Sequence, residues 1–177
     1  MDLRHDKAVK YYKLAQHQAS LFSKDPSSKV GAILLAPGSL QILSLGYNGM
    51  PRDINESVVK RWERPIKYKY VEHAERNAVY NACRHGTPLE GSIAVVTMYP
   101  CCDCARALIQ SGCKMVVTTT PDWNHPRWGD DFNISHEMFE EAGVRVKLLE
   151  KIDLETKNIN MNNGSPTQSS GSHPRED

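Results

Sequence analysis

Two short motifs constrain this chain more than anything else in it: His73-Ala74-Glu75, and Pro100-Cys101-Cys102-Asp103-Cys104 further on. Each stands where a helix is predicted to begin. A histidine and two thiolates are borderline-soft ligands that suit tetrahedral zinc, and a C-x-x-C at a strand-to-helix turn offers two of them together. For His73, Cys101 and Cys104 to meet, two helices must start side by side at one edge of a common layer. Residues i and i+2 point to nearly opposite sides of a helix, so His73 and Glu75 share a site only if it lies off the N-terminal end. There the helix dipole favours thiolates as anionic ligands. Three side-chain ligands leave a fourth vertex for water, as a catalytic zinc requires. Glu75 is then free to take a proton from activated water, provided a closed apolar pocket lifts its pKa toward neutrality.

The rest of the chain supplies the layer. Ala8, Tyr12, Ala15, Ala19 and Phe22 recur at spacings of four and three, which predicts a helix over 4–22. Asp25-Pro26-Ser27-Ser28 breaks it, and apolar runs at 30–35 and 41–46, separated by Pro37-Gly38-Ser39, read as an antiparallel hairpin. Residues 47–69 carry Asn48-Gly49, Met50-Pro51 and Arg64-Pro65 among many charges, the mark of a long functional loop. Ala74, Ala78 and Ala82 give 73–83 a small-residue helical face; strands at 92–98, 114–120 and 144–149 then alternate with helices at 101–110 and 135–142. The expected fold is α/β, a three-layer α-β-α sandwich on a five-stranded mixed sheet with an N-terminal hairpin. Residues 1–154 are expected to form one domain, and 155–177, rich in Asn, Ser, Gly and Thr, a disordered polar tail.

Composition narrows the setting. Among 177 residues, 22 Lys and Arg against 21 Asp and Glu give a net charge of +1, which argues against a protein that coats a polyanion. The charged start and the lack of an apolar run of about 18 residues predict a chain that is neither secreted nor membrane-spanning. Five cysteines, an odd number crowded into one third of the chain, point to a reducing, cytoplasmic compartment.

Taken singly, each motif has ordinary readings. A C-x-x-C is often a structural zinc knuckle or a redox dithiol, and an H-x-E often only caps a helix. Together and in this order they match the signature of zinc deaminases, H-x-E followed by P-C-x-x-C. The chain resembles the deoxycytidylate deaminase branch of the cytidine deaminase-like superfamily. That resemblance also runs through Lys24-Asp25-Pro26-Ser27-Ser28-Lys29-Val30-Gly31-Ala32, Gly46-Tyr47-Asn48-Gly49-Met50-Pro51, Lys69-Tyr70-Val71-Glu72-His73-Ala74-Glu75-Arg76-Asn77-Ala78 and Ala105-Arg106-Ala107-Leu108-Ile109-Gln110-Ser111-Gly112.

The resemblance implies hydrolysis of dCMP to dUMP and ammonia, with one Zn2+ held by His73, Cys101 and Cys104, and Glu75 as proton shuttle. It implies Asn48 and Ala74 on the substrate side, a homo-oligomer (hexamer or dimer), and dCTP and dTTP as effectors with Mg2+. Asn48 reads equally well as a turn residue before Gly49. For the phosphate, the basic residues are Lys24, Lys29, Arg52 and Arg127; Lys24 and Ser28 are preferred, because the loop between Lys24 and Lys29 offers hydroxyls and N–H groups. The chain departs from the family in Arg52-Asp53-Ile54-Asn55, where a glycine often follows M-P, in Glu72, and in a long aromatic segment from Pro121 to Asp131. Trp123 and Trp128 in that segment suit either stacking on a base or packing at an interface. The competing readings are a deaminase of a modified cytosine nucleotide, a nucleoside or a tRNA adenosine, and a non-catalytic zinc module closed by Cys102 or Cys113.

Overall fold

The computed structural model describes residues 3–155. In chain order the elements are α1 (His5–Phe22), β1 (Gly31–Leu35), β2 (Ile42–Tyr47), a 3-10 turn (Val59–Trp62), α2 (Lys67–Tyr70), α3 (Ala74–Arg84), β3 (Ile93–Val96), α4 (Cys102–Gln110), β4 (Met115–Thr119), α5 (Gly129–Glu141), β5 (Arg145–Leu149) and α6 (Lys151–Glu155). The sheet runs β2-β1-β3-β4-β5. β1 pairs antiparallel with β2 and with β3, whereas β3, β4 and β5 are parallel. This is the α/β sandwich with an N-terminal hairpin that the sequence predicts. The tail assigned to 155–177 lies, from residue 156 on, outside the described residues.

Side chains on the inner strands alternate between two apolar layers, as a period of two dictates. Ile33, Leu35, Ile93, Val95, Met115 and Val117 pack with Ala8, Tyr12 and Ala15 of α1. Ala32, Leu34, Ala94, Val96 and Val116 pack on the other face with Ala78 and Ala82 of α3, Ala105 and Leu108 of α4, and Phe139 of α5. Burial on both sides explains why β1 and β3 read as unbroken apolar runs. The helices that carry the motifs, α3 and α4, therefore share one layer, and both start at the same end of the sheet as β3 finishes.

α3 rides unusually close to the sheet. A Cβ on Gly46 of β2 would stand 2.1 Å from the Ala74 carbonyl and 2.5 Å from the Ala78 nitrogen, so only glycine fits there. Side chains fasten the contact: Ser44 donates to the Ala78 carbonyl at 2.7 Å, Asn77 to that of Tyr47 at 2.8 Å, and Asn81 to that of Leu45 at 2.7 Å.

Two elements differ from the sequence expectation. α5 begins at Gly129 and not at Ser135, because Ser135 is buried within the helix, donating to the Pro100 carbonyl at 2.8 Å, and does not cap it. Residues 47–69 are not all loop, since they hold the 3-10 turn and the start of α2.

Candidate active site

His73 and Cys101 occupy equivalent places, each an extended residue capping a helix, α3 and α4 respectively. Their side chains therefore project beyond the helix ends and meet. The His73 Nδ1 lies 3.5 Å from the Cys101 Sγ and 3.4 Å from the Cys104 Sγ, and the three donor atoms fall within 4.8 Å of one another. Zinc bonds of about 2.3 Å to sulfur and 2.0–2.1 Å to nitrogen at tetrahedral angles demand S···N edges of roughly 3.5 Å. The donor set thus fits a zinc ion in both chemistry and spacing. Arg76 fixes the two helix starts relative to each other, reaching Glu72 at 2.5 Å and Asp103 at 3.5 Å.

The other cysteines stand apart. The Cys102 thiol donates to the Asp131 carbonyl at 3.4 Å and the buried Cys113 thiol to that of Met115 at 3.1 Å. Neither belongs to the cluster, so neither closes its fourth vertex.

Electrostatics separate the two clustered thiols. Cys101 is pulled down to about 4, chiefly by the hydrogen bond from Cys104 and then by His73, against the opposing effect of burial. Cys104 is pushed well above its ordinary value as the donor of that bond and by burial. Glu75 follows in the first turn of α3, is 3% exposed, and is raised to about 7 by burial, with the neighbouring His73 pulling the other way. A carboxyl poised near neutrality beside a cluster that fits a metal ion suits proton transfer.

A cleft opens from this cluster. His73, Ala74, Glu75 and Cys101 line it, together with Met98, Tyr99, Trp128 and Phe132. Asp25, Ser28, Val30, Asn48, Arg64, Lys67, Tyr68 and Val71 complete the lining. Ala74 is buried and its methyl side chain carries no polar group, so any hydrogen bond it makes there is through its backbone.

Of the three polar residues expected near the substrate, two line the cleft and one does not. Asn48 lines the cleft, but its side chain is already spent on the protein: its oxygen accepts from Ser23 Oγ and the Val30 N–H, both at 2.8 Å, and its amide donates to Asp25 at 3.2 Å and to the Ser28 carbonyl at 2.9 Å. Ser28 also lines the cleft, its N–H donating to Asp25 at 3.2 Å. Lys24 does not reach it. Its ammonium pairs with Glu56 in a second cavity, bordered by Tyr47, Gly49, Met50 and Arg52.

Sequence reasoning missed the floor beneath these residues. Lys67 and Asp25 form a buried ion pair, the ammonium reaching both carboxylate oxygens at 2.8 and 2.7 Å with side chains 5% and 1% exposed. It also missed the role of Tyr99, whose hydroxyl meets His136 Nδ1 at 2.8 Å. Of the two tryptophans between β4 and α5, Trp123 packs edge-on against Tyr99 and His136, while Trp128 lines the cleft.

Residues 5–120 match the family described as the cytidine and deoxycytidylate deaminase zinc-binding region. The chain belongs to this family. An uncharacterized deaminase encoded in the luxG 3′ region of Aliivibrio fischeri is 39% identical over 144 residues, 80% of this chain and 92% of that protein. The Homo sapiens deoxycytidylate deaminase is 33% identical over 153 residues, 82% of each chain. Among solved structures, the dCMP deaminase of cyanophage S-TIM5, in complex with dCMP and dUMP, superposes with a TM-score of 0.67 at 26% identity, covering 84% of this chain and 100% of that one. The protein is a hydrolytic deaminase of the zinc-binding class. No helix of this deaminase is long and apolar enough, among the described residues, to cross a membrane.

Proposed function

We propose that this deaminase converts dCMP to dUMP, with His73, Cys101 and Cys104 holding one zinc ion and Glu75 moving the proton. The observation that carries the reading is the convergence of two helix starts on three donor atoms within 4.8 Å, next to a buried carboxyl raised to about 7. The deoxycytidylate deaminases among its relatives and the dCMP-bound structural neighbour support the choice of substrate. Bound in this cluster, zinc supplies the Lewis acidity that makes a water molecule nucleophilic near neutral pH. In this reading Glu75 would be the proton carrier: it would accept a proton from the attacking water, deliver it to N3 of the cytosine, and pass the second proton to the amine that leaves C4 as ammonia. Water and the amino group are exchanged for a carbonyl and ammonia, with no redox change. The Ala74 N–H, one of the first-turn donors without an intrahelical partner, would hold a base oxygen in this reading. Tyr99, Trp128 and Phe132 form the apolar wall that keeps bulk water from the ring.

Residues 1–154 form the catalytic unit in this reading, in keeping with Leu154 of α6 packing on the α1 side of the core. The test is ammonia release from zinc-loaded protein across a panel of dCMP, CMP, deoxycytidine, 5-methyl-dCMP and AMP, for wild type and Glu75→Gln. Turnover of dCMP ahead of the others, reduced by at least about a thousandfold in Glu75→Gln with zinc retained, is expected. Undiminished activity in that variant rejects the mechanism, and preference for another base or for the free nucleoside rejects the substrate.

A further inference from the structure

The cations at the cleft differ in whether their charge is still available. Lys67 lines it, yet both oxygens of buried Asp25 hold its ammonium, so its charge is cancelled where it sits. Lys24 is paired with Glu56, and Lys29 donates to the Ser20 carbonyl at 3.0 Å on the protein's outside. Arg52 bonds Asn81 in the second cavity. Arg64 and Arg127 are different. Among the described residues neither guanidinium pairs with a carboxylate, and both rest against one aromatic ring, that of Tyr68, at 6.0 and 3.7 Å from its centroid. Arg127 also stacks on Trp128 at 4.7 Å and donates to the Tyr68 hydroxyl. Tyr68, Trp128 and Arg64 all line the cleft, and Arg64 is exposed and Tyr68 and Trp128 half-buried where Cys101 and Glu75 are buried, which puts the two arginines' platform on the solvent side.

Stacking holds a guanidinium's plane against the ring and leaves its N–H edge directed outward, which suits planar, two-pronged recognition of an anion. Two such groups, uncancelled and held by one ring, form a preorganised anion clamp whose side-chain entropy cost is partly met before ligand arrives. A pyrimidine nucleotide with its amine at the Glu75 end directs its other end, the 5′-phosphate, toward the mouth. We infer that Arg64 and Arg127 grip the substrate's 5′-phosphate, with Tyr68 as their common platform, and so make the enzyme choose the nucleoside monophosphate over the nucleoside. This rests on the reading of the cleft as a cytosine-nucleotide site. It assigns the phosphate to the α2 flank and the segment between β4 and α5, in place of the Lys24–Lys29 loop.

The experiment compares zinc-loaded wild type with Arg64→Met, Arg127→Met, the double variant and Arg127→Lys, measuring kcat and KM for dCMP and for deoxycytidine at low and high salt. Each methionine variant is expected to raise the KM for dCMP about tenfold or more with kcat within about twofold, and to leave kcat/KM for deoxycytidine unchanged. The double variant is expected to lose most of the salt dependence of that KM. Arg127→Lys, which keeps the charge but not the stacked fork, is expected to recover only part of the loss. Equal losses on both substrates would mean a structural role and overturn the clamp. A wild type that prefers dCMP, with that preference intact in the double variant, overturns the clamp alone. A wild type that prefers deoxycytidine, or deaminates neither, overturns the clamp and the substrate reading together.

Discussion

Cys101 and Cys104 carry the same side chain one helical turn apart, yet they hold protons very differently. Cys101, at the mouth of α4, accepts from its partner and faces His73, whereas Cys104 is fully buried and keeps the proton it donates. The pair titrates as a unit, with one thiolate and one thiol across neutral pH. Only the thiolate reacts with alkylating agents, so position in the pair decides reactivity. In zinc-stripped protein at pH 6, iodoacetamide is expected to modify Cys101 well before its neighbour Cys102, whose thiol is pushed up to about 11. Fragment mass spectrometry of the shared peptide separates the two, and reloading zinc is expected to protect Cys101. Labelling of Cys102 first would contradict the assigned proton. At this scale the meeting of His73, Cys101 and Cys104 beside Glu75 was legible in the sequence because each motif is local, within one turn of a helix start. The Asp25–Lys67 pair was not, because its partners lie 42 residues apart and Lys67 sits among other charges that read as a solvated loop. Such a pair is costly to break from one side, since an unpaired buried charge remains.

At the scale of elements, the site depends on how closely α3 approaches β2. Gly46 sets that distance, because what a Cβ would strike is backbone, which cannot swing aside as a flexible side chain can. Gly46→Ala is expected to lift the start of α3, carrying His73 and Glu75 with it, and to cost roughly 1–3 kcal/mol as overpacking does. Gly49→Ala, whose Cβ would meet nothing nearer than 3.9 Å, is the matched control and is expected to melt like wild type. Thermal unfolding of the two variants, with zinc affinity measured alongside, checks the contrast; equal melting temperatures would refute it. Periodicity revealed α1, α3, α4 and the five strands because each presents a clear apolar stripe or run. It could not reveal α2, a helix of four residues that local propensity alone does not nucleate. It misplaced the start of α5 because a serine inside a helix and a serine capping one look alike until the Pro100 carbonyl is in view.

For the whole molecule, a zinc ion held as proposed would tie together α3 and α4, two of the helices on one face of the sheet, linking residue 73 to residues 101 and 104 through side-chain donor atoms rather than backbone. Without it, a thiolate, a partly buried imidazole and a buried carboxyl crowd the same apolar end of α3 and α4. A ligand that binds only the folded state adds RT ln(1 + [L]/Kd), about 4 kcal/mol at a thousandfold excess over Kd. For a chain of this length that corresponds to a rise of roughly 10 °C in melting temperature. Chelation is therefore expected to lower the melting temperature by about that amount and abolish deamination, and added zinc to restore both. Cys104→Ala, which removes the most deeply buried of the three proposed ligands, is expected to melt like the stripped wild type and to respond little to zinc. The α1 layer contributes no ligand, so tryptic fragments from α1 are expected to appear no earlier after chelation than those from α3 and α4. Full zinc occupancy in Cys104→Ala by metal analysis, or an unchanged melting temperature after chelation, would show that the ion is not what joins these two helices.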